Sequence, residues 1–276
     1  MIHPSDIGAH RFGHQAMATE FEIFCVHPDR DYAQQAARAA FDLLDRLESE
    51  LSRFLPNSDI SRINRLASGE TARVSGWTKQ CLEIAHEIYA ETGGAFDISL
   101  GSGFDALQLS IQECLVSLGK GKPAPQLDLG GIGKGYAVDR MAEVLAEWEI
   151  GQALLHGGHS SVRALDAPPG LEGWPLGIGD RIVQARHRGF SASGIRVQGR
   201  HIIDPRMGDG HTGLAAKQRV AAWVSVESDG SRSPSAVAEA YSTAFMVLTA
   251  AEVNAICSRH SGLEAHLLET LCEQHS

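Results

Sequence analysis

No apolar run in this chain of 276 residues approaches the roughly 18 residues that a bilayer-spanning helix needs, so membrane insertion is not expected. Positive charge is also scarce: 24 Lys and Arg against 34 Asp and Glu leave a formal net charge of −10. A surface with that balance repels nucleic acid backbones and anionic lipid, which argues against both as partners. It does not exclude a phosphate ligand, because one local cation or metal can reverse the field. There are five cysteines (Cys25, Cys81, Cys114, Cys257 and Cys272), odd in number and widely scattered. That pattern fits buried or idle thiols in a reducing compartment. The opening Met1-Ile-His-Pro-Ser-Asp6 has neither a basic segment nor an apolar one, so no signal peptide is read and the cytoplasm is expected. Internal repeats and low-complexity tracts are missing too.

What remains is an ordinary globular composition, 43% hydrophobic and 21% charged, in a length that suits one large domain or two closely packed ones. Glu20–Val26 half-alternates and predicts a strand. Ala36, Ala40, Leu43, Leu44, Leu47 and Leu51 mark one face of a helix from about Tyr32 to Leu51. Residues 52–64 follow as a loop rich in turn formers and capping groups, with Phe54 conspicuous in it. That ring is either tucked onto the core or stacked on a planar ligand. A second helix spans about Thr78 to Thr92 and ends at Gly93-Gly94, and Ala95–Leu100 reads as a short strand or turn. Residues 101–126 carry little periodicity. Further helices are expected over about 134–149, after Ser233-Pro234 and over 250–258, with strands near 153–155, 173–178, 189–194, 201–208, 221–228 and 264–268. Ser233 reads as a helix N-cap with proline at the first helical position. His156 and His159 stand three apart, but no further ligand lies at a zinc spacing.

The densest chemistry lies in Leu127-Asp-Leu-Gly-Gly-Ile-Gly-Lys-Gly-Tyr-Ala-Val-Asp139. Glycines permit sharp turns or close backbone approach to a ligand. The stretch is no Walker A loop, because Gly133-Lys134 is followed by Gly135 and Asp128 stands where the first glycine is required. Nor is it a dinucleotide fingerprint, which would need glycine at Tyr136. A custom phosphate or cofactor cradle and a tight structural turn both stay open on these grounds. Glu239 and Thr243 occupy i and i+4 of a later helix, a pairing that is most often solvated surface. Here the neighbours Ala236, Ala238, Ala240 and Ala244 are small enough to let another backbone come close.

These residues carry a resemblance. Leu127–Asp139 resembles the central motif of the ApbE family, the FAD:protein FMN transferases. Met17-Ala-Thr19 is similar to its Met-Gly-Thr, and residues 52–64 to its aromatic-Ser-x-x-Ser-x-x-Asn loop. Gly94-Ala-Phe-Asp97 and His201-Ile-Ile-Asp-Pro-Arg206 match further motifs. Ala238-Glu-Ala-Tyr-Ser-Thr-Ala244 is similar to the family's Ala-Asp-Ala-x-Ser-Thr-Ala. Six motifs in the family's order cover nearly the whole chain.

The resemblance implies an α+β fold, one two-lobed flavin transferase domain over 1–276, with mixed or antiparallel sheets, packed helices and a flavin groove between the lobes. It implies Mg²⁺-dependent cleavage of FAD, transfer of FMN to a threonine or serine hydroxyl of a target flavoprotein, and release of AMP. Met17, Phe54, Ala95, Phe96 and Asp97 would line the flavin and adenosine pocket, with Ile203 also touching the FAD. Asp128 and Lys134 would hold the FAD. Mg²⁺ would take the Gly131 carbonyl, the Glu239 carboxylate and the Thr243 hydroxyl, a hard oxygen set. His201 and Asp204 would sit by the transferred phosphate, His201 as proton acceptor. Alternatives are a hydrolase that yields FMN and AMP, and an FAD-binding scaffold without catalysis. The chain departs from the pattern at Glu239, where the family has aspartate, and at His159-Ser160, Ser193–Arg196 and Met207. The segment between Asp97 and Asp128 is short and lacks a tryptophan-containing stretch, which implies a more open rim.

Overall fold

The structure is a computed structural model and describes residues 7–110, 112–179, 181–194, 203–207, 219–230 and 233–269. The chain is mixed α and β with antiparallel sheets, in two compact units. The first comprises Met1–Glu48, Lys134–Ser191 and Ser225–Glu239, and the second Ser49–Gly133, Ala192–Val224 and Ala240–Ser276.

The first unit is built on a sheet of β1 (His10–Ala16), β2 (Thr19–Cys25), β6 (Ala153–Gly157), β7 (Ser161–Ala164) and β10 (Arg188–Gly194), neighbours in that order. Every pairing among these five is antiparallel; Phe24 faces Leu154, for example, and Leu154 faces Ala164. Side chains of these strands bury Phe24, Leu154, Val162, Ala164 and Phe190 with Trp174 and Ala185 of the hairpin β8 (Trp174–Ile178) and β9 (Arg181–Ala185). The Trp174 indole N–H, which burial would otherwise orphan, donates to the Asp166 carbonyl at 2.8 Å. Helix α1 (Arg30–Leu51) lays the predicted face inward, with Ala36, Ala40, Leu44, Leu47 and Leu51 buried.

Sequence periodicity does not predict β1. The strand joins β2 through a two-residue turn in which Met17 and Ala18 have φ of 49° and 58°. That turn follows the twist of the hairpin but forces non-glycine residues into the left-handed region. Ala18 is the position at which the family motif has glycine. Ala18→Gly is expected to stabilise the protein by about 1 kcal/mol by relieving that strain, partly offset by the entropy glycine adds to the unfolded chain. Urea unfolding of both proteins checks it.

The second unit holds α2 (Asp59–Ile63), α3 (Gly76–Glu91), α6 (Ala250–Cys257) and a three-stranded sheet in the order β3 (Thr71–Arg73), β5 (Leu115–Leu118), β4 (Leu107–Ser110). Two of these strands come from the segment whose periodicity is uninformative. They are four residues long, too short for alternation to register. β11 (Arg219–Glu227) pairs with β12 (Leu263–Glu269). The strand expected over 201–208 is not found among its described residues: Pro205–Met207 form a 3-10 turn, since proline cannot continue a ladder.

α4 (Gly133–Glu147) carries Lys134, and α5 (Pro234–Phe245) carries Glu239 and Thr243. The start of α5 is pinched between two glycines. A Cβ on Gly135 would stand 2.3 Å from the Ser235 carbonyl oxygen, and one on Gly189 2.3 Å from the Ser235 amide nitrogen. Only hydrogen fits at either place. At the N-terminus of α5, Ser233 and Pro234 take the N-cap and first helical positions as expected, the Val237 N–H donating to the Ser233 carbonyl at 3.0 Å, but the side-chain acceptor is another residue. The Ser233 hydroxyl accepts from Arg140, while the first-turn N–H groups of Ser235 and Ala236 donate to the Asp139 carboxylate at 2.9 and 3.0 Å. One carboxyl group thus serves two first-turn N–H groups at a helix start that is buried away from solvent.

Candidate functional site

Seven of the residues singled out from the sequence line one cavity in the second unit. Ala95, Phe96, Asp97, Asp128, Gly131, Ile203 and Thr243 surround about 250 Å³ of space, joined by Leu100, Pro205 and Met246 among others. Gly131 and Thr243 are close neighbours: a Cβ on Gly131 would lie 3.3 Å from Thr243 Oγ1 and 3.4 Å from the Phe96 ring. Thr243 Oγ1 also stands 3.5 Å from Ser193 Oγ, which in turn meets Ser242 Oγ at 3.0 Å.

The loop of residues 52–64 is shaped by its own polar side chains. Ser58 caps α2, accepting from the Ser61 amide at 3.0 Å, and its hydroxyl donates to the Ser52 carbonyl. Ser61 donates to the Arg53 carbonyl at 2.9 Å. Asn64 then behaves like a piece of backbone: its amide donates to the Leu127 carbonyl at 3.0 Å and accepts from the Leu127 N–H at 2.8 Å. The serine and asparagine spacing thus ties this loop to the first residue of the glycine-rich stretch. Phe54 is 78% exposed, which excludes a ring tucked onto the core.

Asp97 is nearly buried and satisfied locally. One oxygen accepts from the Ser99 N–H and hydroxyl, both at 2.7 Å, and the other from the Gly101 N–H at 2.8 Å. It therefore builds the turn 97–101 as well as lining the cavity. Asp204 is 1% exposed and gripped in a fork by Arg206, at 2.9 Å to Oδ1 and 2.7 Å to Oδ2. Those guanidinium bonds hold its carboxyl below the usual carboxylate range, so it stays ionised. His201, the expected proton acceptor, lies outside the described residues.

In the first unit, Glu239 and Lys134 are partners. Lys134 Nζ bonds Glu239 Oε1, and the Gly135 N–H donates to Oε2 at 2.6 Å. The residue is 3% exposed, so Glu239 is not the solvated surface group that its spacing usually marks. Sequence reasoning assigned these two residues to different ligands and gave no sign that they meet. They are 105 positions apart. Met17 sits on the β1–β2 turn, its N–H donating to Glu48 at 2.8 Å.

Among the described residues, no three His, Cys, Asp or Glu side chains gather as a metal cluster. A magnesium site need not form one. One carboxylate (Glu239), a hydroxyl (Thr243) and a backbone carbonyl (Gly131) are the hard oxygen types that Mg²⁺ accepts beside phosphate oxygens. Each is of the kind that ion takes; Glu239 belongs to the first unit, where Lys134 Nζ bonds its Oε1, and Gly131 and Thr243 belong to the second. No helix among the described residues is long and apolar enough to cross a membrane.

Arg53 is a residue the sequence reading passed over. Its Nε lies 3.1 Å from Asp128 Oδ2, and its guanidinium covers the Phe54 ring at 4.7 Å from the centroid. The adjacency of a cation to the noted aromatic was the available signal.

The model of the ApbE family matches residues 17–267. No curated protein matches the sequence. Among solved structures, a mutant of the flavin transferase ApbE from Vibrio cholerae superposes with a TM-score of 0.81 at 20% identity, over 96% of this chain and 94% of that one. The flavinyl transferase ApbE of Pseudomonas stutzeri, in its apo form, gives 0.76 at 20% identity over 95% and 93%. An ApbE protein from Thermotoga maritima gives 0.76 at 19% identity over 95% and 94%. The mixed α+β architecture is therefore that of these structures.

Proposed function

This chain belongs to the ApbE family, and from that membership we propose that it transfers the FMN half of FAD to a threonine or serine hydroxyl of a partner flavoprotein. The observation that carries the reading is the family match over residues 17–267, together with a cavity lined by seven of the residues that the motifs single out. Residues 1–276 act as one flavin transferase domain, and the cytoplasm is the compartment we propose.

The acceptor oxygen attacks the FMN phosphorus, the bond to the AMP oxygen breaks, and AMP departs. His201 takes the hydroxyl proton. Asp204 is a fixed, ionised carboxylate and not a proton carrier, since Arg206 occupies both its oxygens. Asp128, Ala95, Phe96, Asp97 and Ile203 hold FAD in the cavity, with Met17 and Phe54 as further flavin contacts and Lys134 meeting its phosphates. Gly131, Glu239 and Thr243 supply the oxygens for Mg²⁺, which neutralises charge on the phosphates when bound. Phosphoryl transfer gains mostly from positioning and charge neutralisation, which these groups provide.

The deciding experiment incubates the protein with FAD and Mg²⁺, with and without a threonine-bearing acceptor, and follows AMP. AMP only with acceptor, and a matching mass gain on the acceptor, is the expected result. AMP without acceptor would make it a hydrolase, and intact bound FAD with no AMP would leave a scaffold.

A further inference from the structure

We infer that Arg53 is a positioning residue for FAD, acting through the charge of Asp128; this rests on the FAD reading above. The cavity is lined by two carboxylates, Asp97 and Asp128, and by no lysine or arginine among the described residues. A ligand carrying a pyrophosphate would be repelled by both unless their charge is absorbed. Asp97 is dealt with locally, by three short bonds from Ser99 and Gly101. Asp128 receives one backbone N–H, that of Gly130 at 2.9 Å, and the Arg53 guanidinium at 3.1 Å. The arginine is the counter-charge that reaches this cavity wall.

Its second contact is with the neighbouring ring of the same loop. The planar guanidinium lies over the Phe54 ring while one edge faces Asp128. The backbone on either side is already fastened, through Ser61 to the Arg53 carbonyl and Ser52 to the Phe54 N–H. The loop therefore keeps its place without the Arg53 side chain, whose role is to neutralise the wall.

The test is a double-mutant cycle read by FAD titration and by steady-state kinetics with the acceptor. Arg53→Gln is expected to weaken FAD binding and raise its KM about tenfold, with kcat at saturating FAD within about twofold. Arg53→Lys, which keeps the charge, is expected to recover most of the loss. In an Asp128→Asn background, Arg53→Gln is expected to change binding by less than about twofold, because the charge it balanced is gone. Equal thermal midpoints exclude a loss of global stability as the cause. A full tenfold loss in the Asp128→Asn background, or Lys as poor as Gln, overturns the assignment while the FAD reading stands. Failure of the unaltered protein to bind FAD overturns both.

Discussion

Glu239→Gln is expected to lower Mg²⁺-dependent AMP release by about a hundredfold or more. The reason starts from burial. Glu239 is 3% exposed, and its two oxygens are already addressed by Lys134 Nζ and the Gly135 N–H. Glutamine keeps the length but offers a single acceptor oxygen, so its amide group must face one of two donors. It also lacks the charge that Glu239 would bring to Mg²⁺ under the proposed function. Lys134 would lose its charged partner on Oε1. Glu239→Asp is the control, because it keeps the charge and restores the residue of the family motif. Initial rates over a Mg²⁺ titration check both. Unchanged turnover in the glutamine variant would remove Glu239 from the metal site.

Asp139→Ala is expected to cost about 3 kcal/mol of stability, the sum of two buried N–H groups losing their acceptor. Asp139 is 3% exposed and takes the amides of Ser235 and Ala236, with Arg163 Nε at 3.6 Å. Because α5 begins there and carries Glu239 one turn later, the loss should reach activity as well. Asparagine retains an acceptor oxygen and should cost less, and it separates capping from charge. Burial pushes the Asp139 carboxyl up to about 6 from 3.8, against the pull of Arg163 and the helix amides. A raised carboxyl binds its proton more tightly folded than unfolded. Its stabilising contribution is therefore complete below pH 3.8 and is lost as pH rises through about 6. Relative to the wild type, Asp139→Asn should gain about 2 kcal/mol between pH 4 and pH 7. Urea unfolding at the two pH values measures it. A constant difference would mean that Asp139 is ionised throughout.

Long helices were the most legible part of the fold. α1, α3 and α4 begin and end within two residues of the positions their apolar spacing indicates, because a buried stripe repeats often enough over 15 or more residues to be counted. Short strands were not legible. β4 and β5 offer four residues each, and β1 is half exposed along most of its length, with polar and glycine residues on the open face. Their place is decided by partners far along the chain.

The candidate site divides along the same line. Residue types and their order could be read without coordinates: a glycine-rich stretch with Asp128 and Lys134, an acid and a hydroxyl one helical turn apart, and a serine-spaced loop bearing Phe54. Motif order suffices for that, since it reflects chemistry a family needs. Which side chains meet was settled by the folded chain alone. Folding paired Glu239 with Lys134, gave both oxygens of Asp204 to Arg206, and set Arg53 between Phe54 and Asp128. Charges separated by scores of residues find each other because a buried ion must be balanced where it lies, and sequence spacing does not record that location.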